Sequence, residues 1–269
     1  MVDSRTMVNS SFGVNLQKYP INQKGAPEYN QLVRICQVAL SRSGVAVLED
    51  FIDPASLPLF VREAQGLVPR AFHNKVEGNC YLTESDVNFP ENHPRRRTEV
   101  TSLGAVAYDL IPSDSHIIEL YHWQATRDFI SDVVGLPLYQ YGCPMGAVNI
   151  TVMREGDYLR WHFDLSSFVV SIPLQEAEAG GEFEMVRWIR SPDDEQYDRV
   201  QRVLDGDNTD VEILKHTPGS LILFEGMYTL HRVAPVKGTR PRLGALLAYV
   251  NQPGMTSTPY LRQIRYGRE

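Results

Sequence analysis

Apolar and polar positions change rhythm about halfway along the chain. In the first half the spacing is helical. Residues 28–43 (EYNQLVRICQVALSRS) place Leu32, Ile35, Cys36, Val38 and Leu40 roughly one turn apart, and Gly44 follows as a stop. Gly44–Leu48 (GVAVL) reads as a short buried strand. Asp53-Pro54-Ala55-Ser56 has the form of a helix start with proline in the first turn, and the helix should run to about Val68, before Pro69. Ser113–Val134 carries Ile117, Ile118, Leu120, Tyr121, Trp123, Phe129, Ile130 and Val133 on one broad face and ends at Gly135-Leu136-Pro137, which predicts one long helix. Residues 70–112, interrupted by Asn79, Asn88, Pro90, Asn92 and Pro94, predict an irregular segment long enough to act as a lid. Residues 1–25 are polar and weakly patterned, and read as an arm or loop.

From about residue 140 the runs become short and strand-like. They are Ala147–Met153, Phe168–Leu174, Gly181–Val186, Val211–Leu214, Ser220–Phe224, Tyr228–Val236 and Leu243–Val250, separated by glycines, Pro218 or charged turns. One helix, Asp194–Val203, interrupts the series. Regularly spaced short strands point to a β-sandwich or jelly roll. The predicted fold is therefore mainly β with flanking α: a double-stranded β-helix (a cupin-like jelly roll) over about 140–255, buttressed by a helical part over about 26–138. The length of 269 residues, with no linker-like tract in the middle, predicts a single domain over 1–269.

Composition narrows the partners. The formal net charge of -7 argues against nucleic acid and against an anionic membrane surface. The one basic cluster, Arg95-Arg96-Arg97, is too short to reverse this and reads most simply as a solvated turn. The three cysteines lie far apart with no CxxC pair, so neither a disulfide framework nor a structural zinc site is expected. A reducing, cytoplasmic location is the default expectation. No stretch nears the roughly 20 apolar residues of a membrane helix, and a homodimer stays open.

The chemistry concentrates in Trp161-His162-Phe163-Asp164 and in His231. Residues two apart on a strand share a face, so His162 and Asp164 can both point inward while Phe163 packs the other way. His231, from another strand of the same barrel, could complete one triangular face. Two histidines and a carboxylate with other positions open is the arrangement of non-haem iron(II) oxygenases. An HxD pair alone is weak; the plainer reading is a hydrogen-bonded strand histidine with a turn aspartate. The block from His231 to Arg242 adds weight. Arg240 and Arg242 flank the Lys237-Gly238 turn and return toward the histidine, and a planar guanidinium suits the far end of a dicarboxylate co-substrate.

Together, Trp161–Asp164, the Phe168–Gln175 strand, Gly180-Gly181-Glu182-Phe183-Glu184 and the block from Pro218-Gly219 to Arg242 resemble iron(II)/2-oxoglutarate-dependent oxygenases, with closest similarity to the branch of free-amino-acid (lysine) halogenases and sister hydroxylases. The resemblance covers about residues 145–255. It implies Fe(II), 2-oxoglutarate and O2 as cofactors, with His162, Asp164 and His231 as iron ligands. It implies Arg242 as partner of the far carboxylate of 2-oxoglutarate, with Arg240 as the alternative. It implies an arginine before the main helix, Arg97 or Arg96, as a contact for a substrate carboxylate. Halogenases of that branch have a small residue where this chain has Asp164, so hydroxylation is the expected outcome, with a small, amino-acid-like substrate and release of succinate and CO2. Desaturation or cyclisation at the same site, or a cupin-like binding protein without turnover, are the alternatives. Against the last, the HxH cluster of a cupin is absent.

Trp161 and Tyr158 flank the ligand strand and could wall a pocket, although ordinary core or rim aromatics are the plainer reading. Asn149 shares a strand face with Thr151 and could bond the co-substrate, or be satisfied by backbone. Gly180-Gly181 reads as a turn. His73, His93, His116, His122 and His216 have no ligand-like spacing and read as surface or structural.

Overall fold

A computed structural model describes residues 11–269. In chain order the elements are α1 (Pro27–Ser43), β1 (Val45–Leu48), α2 (Leu57–Leu67), β2 (Phe72–Gly78), β3 (Glu99–Val106), α3 (His116–His122), α4 (Gln124–Val134), β4 (Tyr139–Gln140), β5 (Val148–Met153), β6 (Leu159–His162), β7 (Val169–Gln175), β8 (Ala179–Gly180), β9 (Phe183–Val186), α5 (Tyr197–Leu204), β10 (Glu212–Ile213), β11 (Leu221–Phe224), β12 (Leu230–Val233), β13 (Val236–Lys237), β14 (Arg242–Leu247), β15 (Tyr249–Val250) and α6 (Pro259–Tyr266). A seven-stranded antiparallel sheet runs β1-β11-β7-β14-β5-β3-β2, and a four-stranded sheet runs β10-β9-β12-β6. These two sheets form the jelly roll.

Alternation along the strands sorts the core. Val148, Ile150 and Val152 of β5, Val170, Ile172 and Leu174 of β7, Leu221 and Leu223 of β11, and Leu243, Ala245 and Leu247 of β14 turn to one face of the large sheet. There they meet Leu32, Val33, Cys36 and Leu40 of α1, Phe60 and Ala64 of α2, Leu120 and Tyr121 of α3, and Phe129, Ile130 and Val133 of α4. Each such side chain contributes about 1.5–3 kcal/mol by leaving water. The intervening residues, Asn149, Thr151, Met153, Arg242 and Gly244 among them, face the smaller sheet. Their register is fixed by the β14–β5 ladder, which sets Arg242 opposite Met153, Gly244 opposite Thr151 and Leu246 opposite Asn149. All three cysteines are buried and free. No helix among the described residues is long and apolar enough to cross a membrane.

Five expectations change. The segment 70–112 is not irregular throughout, because β2 and β3 pair along their length and extend the large sheet, leaving 79–98 as its one long stretch outside regular structure. The sequence hid β2 because FHNKVEG is an edge strand with mostly polar positions, none of them buried; α6 packs against it, and Asn74 Nδ2 donates to the Ile264 carbonyl at 2.7 Å. The helix foreseen over 113–134 is two helices, broken where Trp123 turns extended (ψ 122°) and lays its ring on Phe12. The helix foreseen from Pro54 begins only at Leu57, because Asp53 Oδ1 accepts from the Ala55 amide and holds a turn first. The described part of the N-terminal segment is not a free arm, since Val14, Tyr19 and Ile21 are buried in the core; residues 1–10 of that segment lie outside the described residues. The helix α6 was not foreseen; Thr258 caps it by accepting from the Leu261 amide.

Candidate metal centre

His162 is the last residue of β6, and His231 lies directly opposite on antiparallel β12. A bulge between these strands sets His231 opposite His162 and Val233 opposite Leu159. The imidazole centroids stand 4.1 Å apart. Asp164 follows just past the strand end, held by its amide donating to the Gly226 carbonyl at 3.1 Å. Its carboxylate lies 3.7 Å from His162 Nε2 and 3.5 Å from His231 Nε2. All three potential ligand atoms lie within 4.8 Å of one another.

Both rings are oriented by the same local device. His162 Nδ1–H donates to the Arg160 carbonyl at 3.0 Å, and His231 Nδ1–H donates to the Thr229 carbonyl at 2.9 Å. Each bond runs to the residue two earlier and leaves the Nε2 lone pair aimed at Asp164. Burial, then the neighbouring His231, pushes His162 down to about 3, so its imidazole is neutral across the physiological range. Burial pushes Asp164 up, but His231 and His162 outweigh it and hold the carboxyl below its ordinary value. Phe183 stacks on His231 at 5.5 Å and Phe224 meets it edge-on at 4.7 Å, so apolar walls exclude water on that side.

The residues fit a divalent metal. Asp164 Oδ2 is buried with no hydrogen-bond partner, a cost that a cation would relieve. Two ligands at right angles, each about 2.1 Å from an ion, stand about 3 Å apart, so the observed separations need only small adjustments. Gly226 supplies the room: a Cβ there would lie 2.9 Å from His231 Cε1 and 2.6 Å from Asp164 Cγ. Nothing in the sequence around Gly226 marks it as part of the site; only the approach of its loop to Asp164 does.

Arg242 and Asn149 share the interior face with this cluster. Arg242 is half-buried, has no carboxylate within ion-pair distance among the described residues, and is pulled down by burial. Gly181, at φ +73°, lets the chain pass close, since a Cβ would stand 3.1 Å from Arg242 Cδ. Asn149 is buried and its Oδ1 has no partner. Arg240 is exposed on the hairpin, where it donates to the Ala177 carbonyl at 3.1 Å.

Trp161 and the arginine triplet have their partners elsewhere. Trp161 is buried on the opposite face of β6 with Val186, Val200 and Leu204, beneath the Arg232 guanidinium at 4.6 Å. Tyr158 is half-buried, and its backbone bridges Ser102. The arginine triplet is not a solvated turn. Arg95 lies over Tyr81 at 4.5 Å and bonds Tyr197 and Glu195, while Arg96 bonds the Phe89 carbonyl. Arg97 donates to Asp205, Glu99 and the Leu204 carbonyl. The triplet pins segment 79–98 onto α5, so both candidate substrate arginines are already committed to protein partners.

Fold and cluster together define a jelly roll whose interior carries two histidines and one carboxylate placed to hold a metal ion. Residues 30–259 match the Halogenase D family, and the chain belongs to it. Among curated proteins none matches. A 2OG-Fe(II) oxygenase family oxidoreductase from Burkholderia pseudomallei is similar in structure, with a TM-score of 0.51 at 16% identity over 83% of this chain and 92% of its own. The epimerase SnoN, solved with Fe3+, alpha-ketoglutarate and nogalamycin RO, aligns with a TM-score of 0.56 at 13% identity, over 86% of this chain and 93% of its own. A prolyl hydroxylase from Trichoplax adhaerens, bound to a hypoxia inducible factor peptide, gives 0.54 at 14% identity, over 83% and 91%. At these identities the likeness is one of fold.

Proposed function

We propose that the chain is a dioxygenase that hydroxylates an unactivated C–H bond of a small substrate, an amino acid or amino-acid derivative. His162, Asp164 and His231 would hold Fe(II) through two Nε2 atoms and one carboxylate oxygen. Arg242 would anchor the far carboxylate of 2-oxoglutarate, with Asn149 bonding the same co-substrate. When bound, iron and 2-oxoglutarate supply the oxidative chemistry: one oxygen atom of O2 leaves in succinate as CO2 is released, and the other enters the substrate. The protein binds and orients. Backbone carbonyls fix both imidazoles, Phe183 and Phe224 keep water from His231, and the unpaired guanidinium of Arg242 draws the dicarboxylate in.

The observation that carries hydroxylation rather than halogenation is the side chain of Asp164. The resemblance to amino-acid halogenases implies a small residue at this position in them; here a carboxylate stands 3.7 and 3.5 Å from the two imidazoles, so chloride would have to displace an anionic group with a buried oxygen. The test is mass spectrometry of a free-amino-acid panel with Fe(II), 2-oxoglutarate, O2 and chloride, for wild type, His162→Ala and Arg242→Ala. Gain of one oxygen by wild type alone, with succinate formed, is expected. Replacement of hydrogen by chlorine would make the protein a halogenase, and loss of two hydrogens a desaturase or cyclase. Absence of succinate from every protein would leave a binding module.

A further inference from the structure

Seven histidines occur in the chain, and six have evident employment. His162 and His231 belong to the metal cluster. His73 Nε2 pairs with Asp157 at 2.7 Å, and Asp157 also accepts from Ser102, tying β2 and β3 to the β5–β6 turn. His93 stacks on Phe89 and accepts from the Arg95 amide, His116 pairs with Glu63, and His122 bonds Tyr108 and Gln140. His216 stands apart: neither nitrogen has a protein partner among the described residues, yet Nδ1 is fully buried. A buried imidazole nitrogen left unpaired costs stability and asks for a ligand.

Its position says which ligand. Leu214, two residues earlier, donates its amide to the Phe183 carbonyl and packs with Phe183, Met185 and Phe224 beside the metal cluster. Three residues later, Gly219 donates to the Pro173 carbonyl at 2.7 Å. Pro173 lies opposite Gly244 on β14, two residues from Arg242. The β10–β11 loop thus crosses the end of the strand that carries Arg242. His216 therefore lies between Phe183, two residues from the Gly181 that stands against the Arg242 stem, and Pro173 on the strand beside β14; burial and then the charge of Arg242 lower its pKa, in keeping with that placement. A cation and a neutral N–H donor, carried by neighbouring segments and both without a protein partner among the described residues, form a receptor for a carboxylate.

We propose that His216 is a second reader of the far carboxylate of 2-oxoglutarate, donating a hydrogen bond from Nδ1–H while Arg242 supplies the charge. This rests on the assignment of Arg242 as the co-substrate anchor. His216 sets specificity for a dicarboxylate, because a monocarboxylate oxo acid leaves its nitrogen unpaired.

The test is calorimetric titration of the metal-loaded protein, without O2, using 2-oxoglutarate and 2-oxobutyrate, which lacks the far carboxylate. Wild type should prefer 2-oxoglutarate. His216→Ala should weaken 2-oxoglutarate binding about tenfold and leave 2-oxobutyrate unchanged, and His216→Asn, which keeps a donor near Nδ1, should recover most of the loss. In turnover the same variants should raise KM for 2-oxoglutarate with little change in kcat. Equal 2-oxoglutarate affinity in wild type and His216→Ala, with Arg242→Ala impaired, would overturn the role of His216 alone. No preference in wild type and no effect of Arg242→Ala would overturn the anchor assignment beneath it. If His216→Ala does not fold, nitrogen NMR of the Zn(II)-loaded wild type decides: the His216 Nδ1 resonance must move with 2-oxoglutarate and not with 2-oxobutyrate, and a static resonance refutes the proposal.

Discussion

Gly226→Ala adds one methyl group where the metal cluster has no space for it. Its Cβ would lie 2.6 Å from Asp164 Cγ and 2.9 Å from His231 Cε1, against ordinary carbon contacts of about 3.5–4.0 Å. Gly226 is not among the residues with positive φ, so the backbone accepts alanine and the strain falls on the side chains. The Asp164 amide is tied to the Gly226 carbonyl, so the carboxylate swings rather than the chain. A displaced ligand should weaken metal binding about 10–100-fold, by analogy with the loss of supporting contacts around metal sites. Metal at a hundred times its Kd stabilises the wild type by about 2.7 kcal/mol, and a hundredfold weaker variant retains only about 0.4 kcal/mol. At about 2 °C per kcal/mol for a chain of this size, metal should raise Tm by about 5 °C in wild type and by about 1 °C in Gly226→Ala. The assay is anaerobic thermal unfolding with and without Fe(II) or Co(II). Gly66→Ala is the control: nothing lies within 4 Å of its Cβ, and it sits in α2. That variant should keep the full metal shift and gain about 0.5–1 kcal/mol from helix propensity. A Gly226→Ala protein with the wild-type metal shift would refute the packing argument, as would one already unfolded without metal.

Two further outcomes follow from burial. Trp161→Ala should destabilise the fold by about 3–5 kcal/mol while leaving 2-oxoglutarate affinity within about twofold in the folded fraction, because Trp161 packs away from the cluster; denaturant unfolding and calorimetry check both halves, and lost affinity with intact stability would return Trp161 to the pocket wall. His216 has a folded-state pKa of about 4, below its ordinary 6.5, so the unfolded chain takes up the proton first as pH falls. The stability tied to its neutral state is complete above about 6.5 and is lost toward 4, by at most about 3 kcal/mol. Metal-free His216→Asn should therefore lose less stability than wild type across that window, and parallel urea-midpoint curves would contradict it.

The candidate cluster is legible in the sequence because it is written in local spacing. An HxD pair at a strand end exposes two donors to one face whatever the rest of the chain does, and His231 sits in a strand-like run that any barrel must bring alongside. The helices α1 and α4 were legible for the same reason: their apolar stripes and the glycines after them act within a few turns. Resemblance alone separates Arg242 from Arg240 in the sequence; the fold turns Arg242 to the interior face and leaves Arg240 on the Ala177 carbonyl.

What tertiary structure alone decided is contact between residues distant in sequence. The exposed pattern of β2 gives no strand signal until β3 supplies its hydrogen bonds. Arg96 and Arg97 are free cations on paper and bound ones in the fold, because α5 brings Asp205 and the Leu204 carbonyl to Arg97. Gly226 and His216 carry no local signature. One matters for a methyl group it lacks beside Asp164, and the other for a partner it lacks beside Arg242. Sequence periodicity reports which face a residue takes; which atoms share that face, and which polar group is left unpaired there, follows only from how the sheets register against one another.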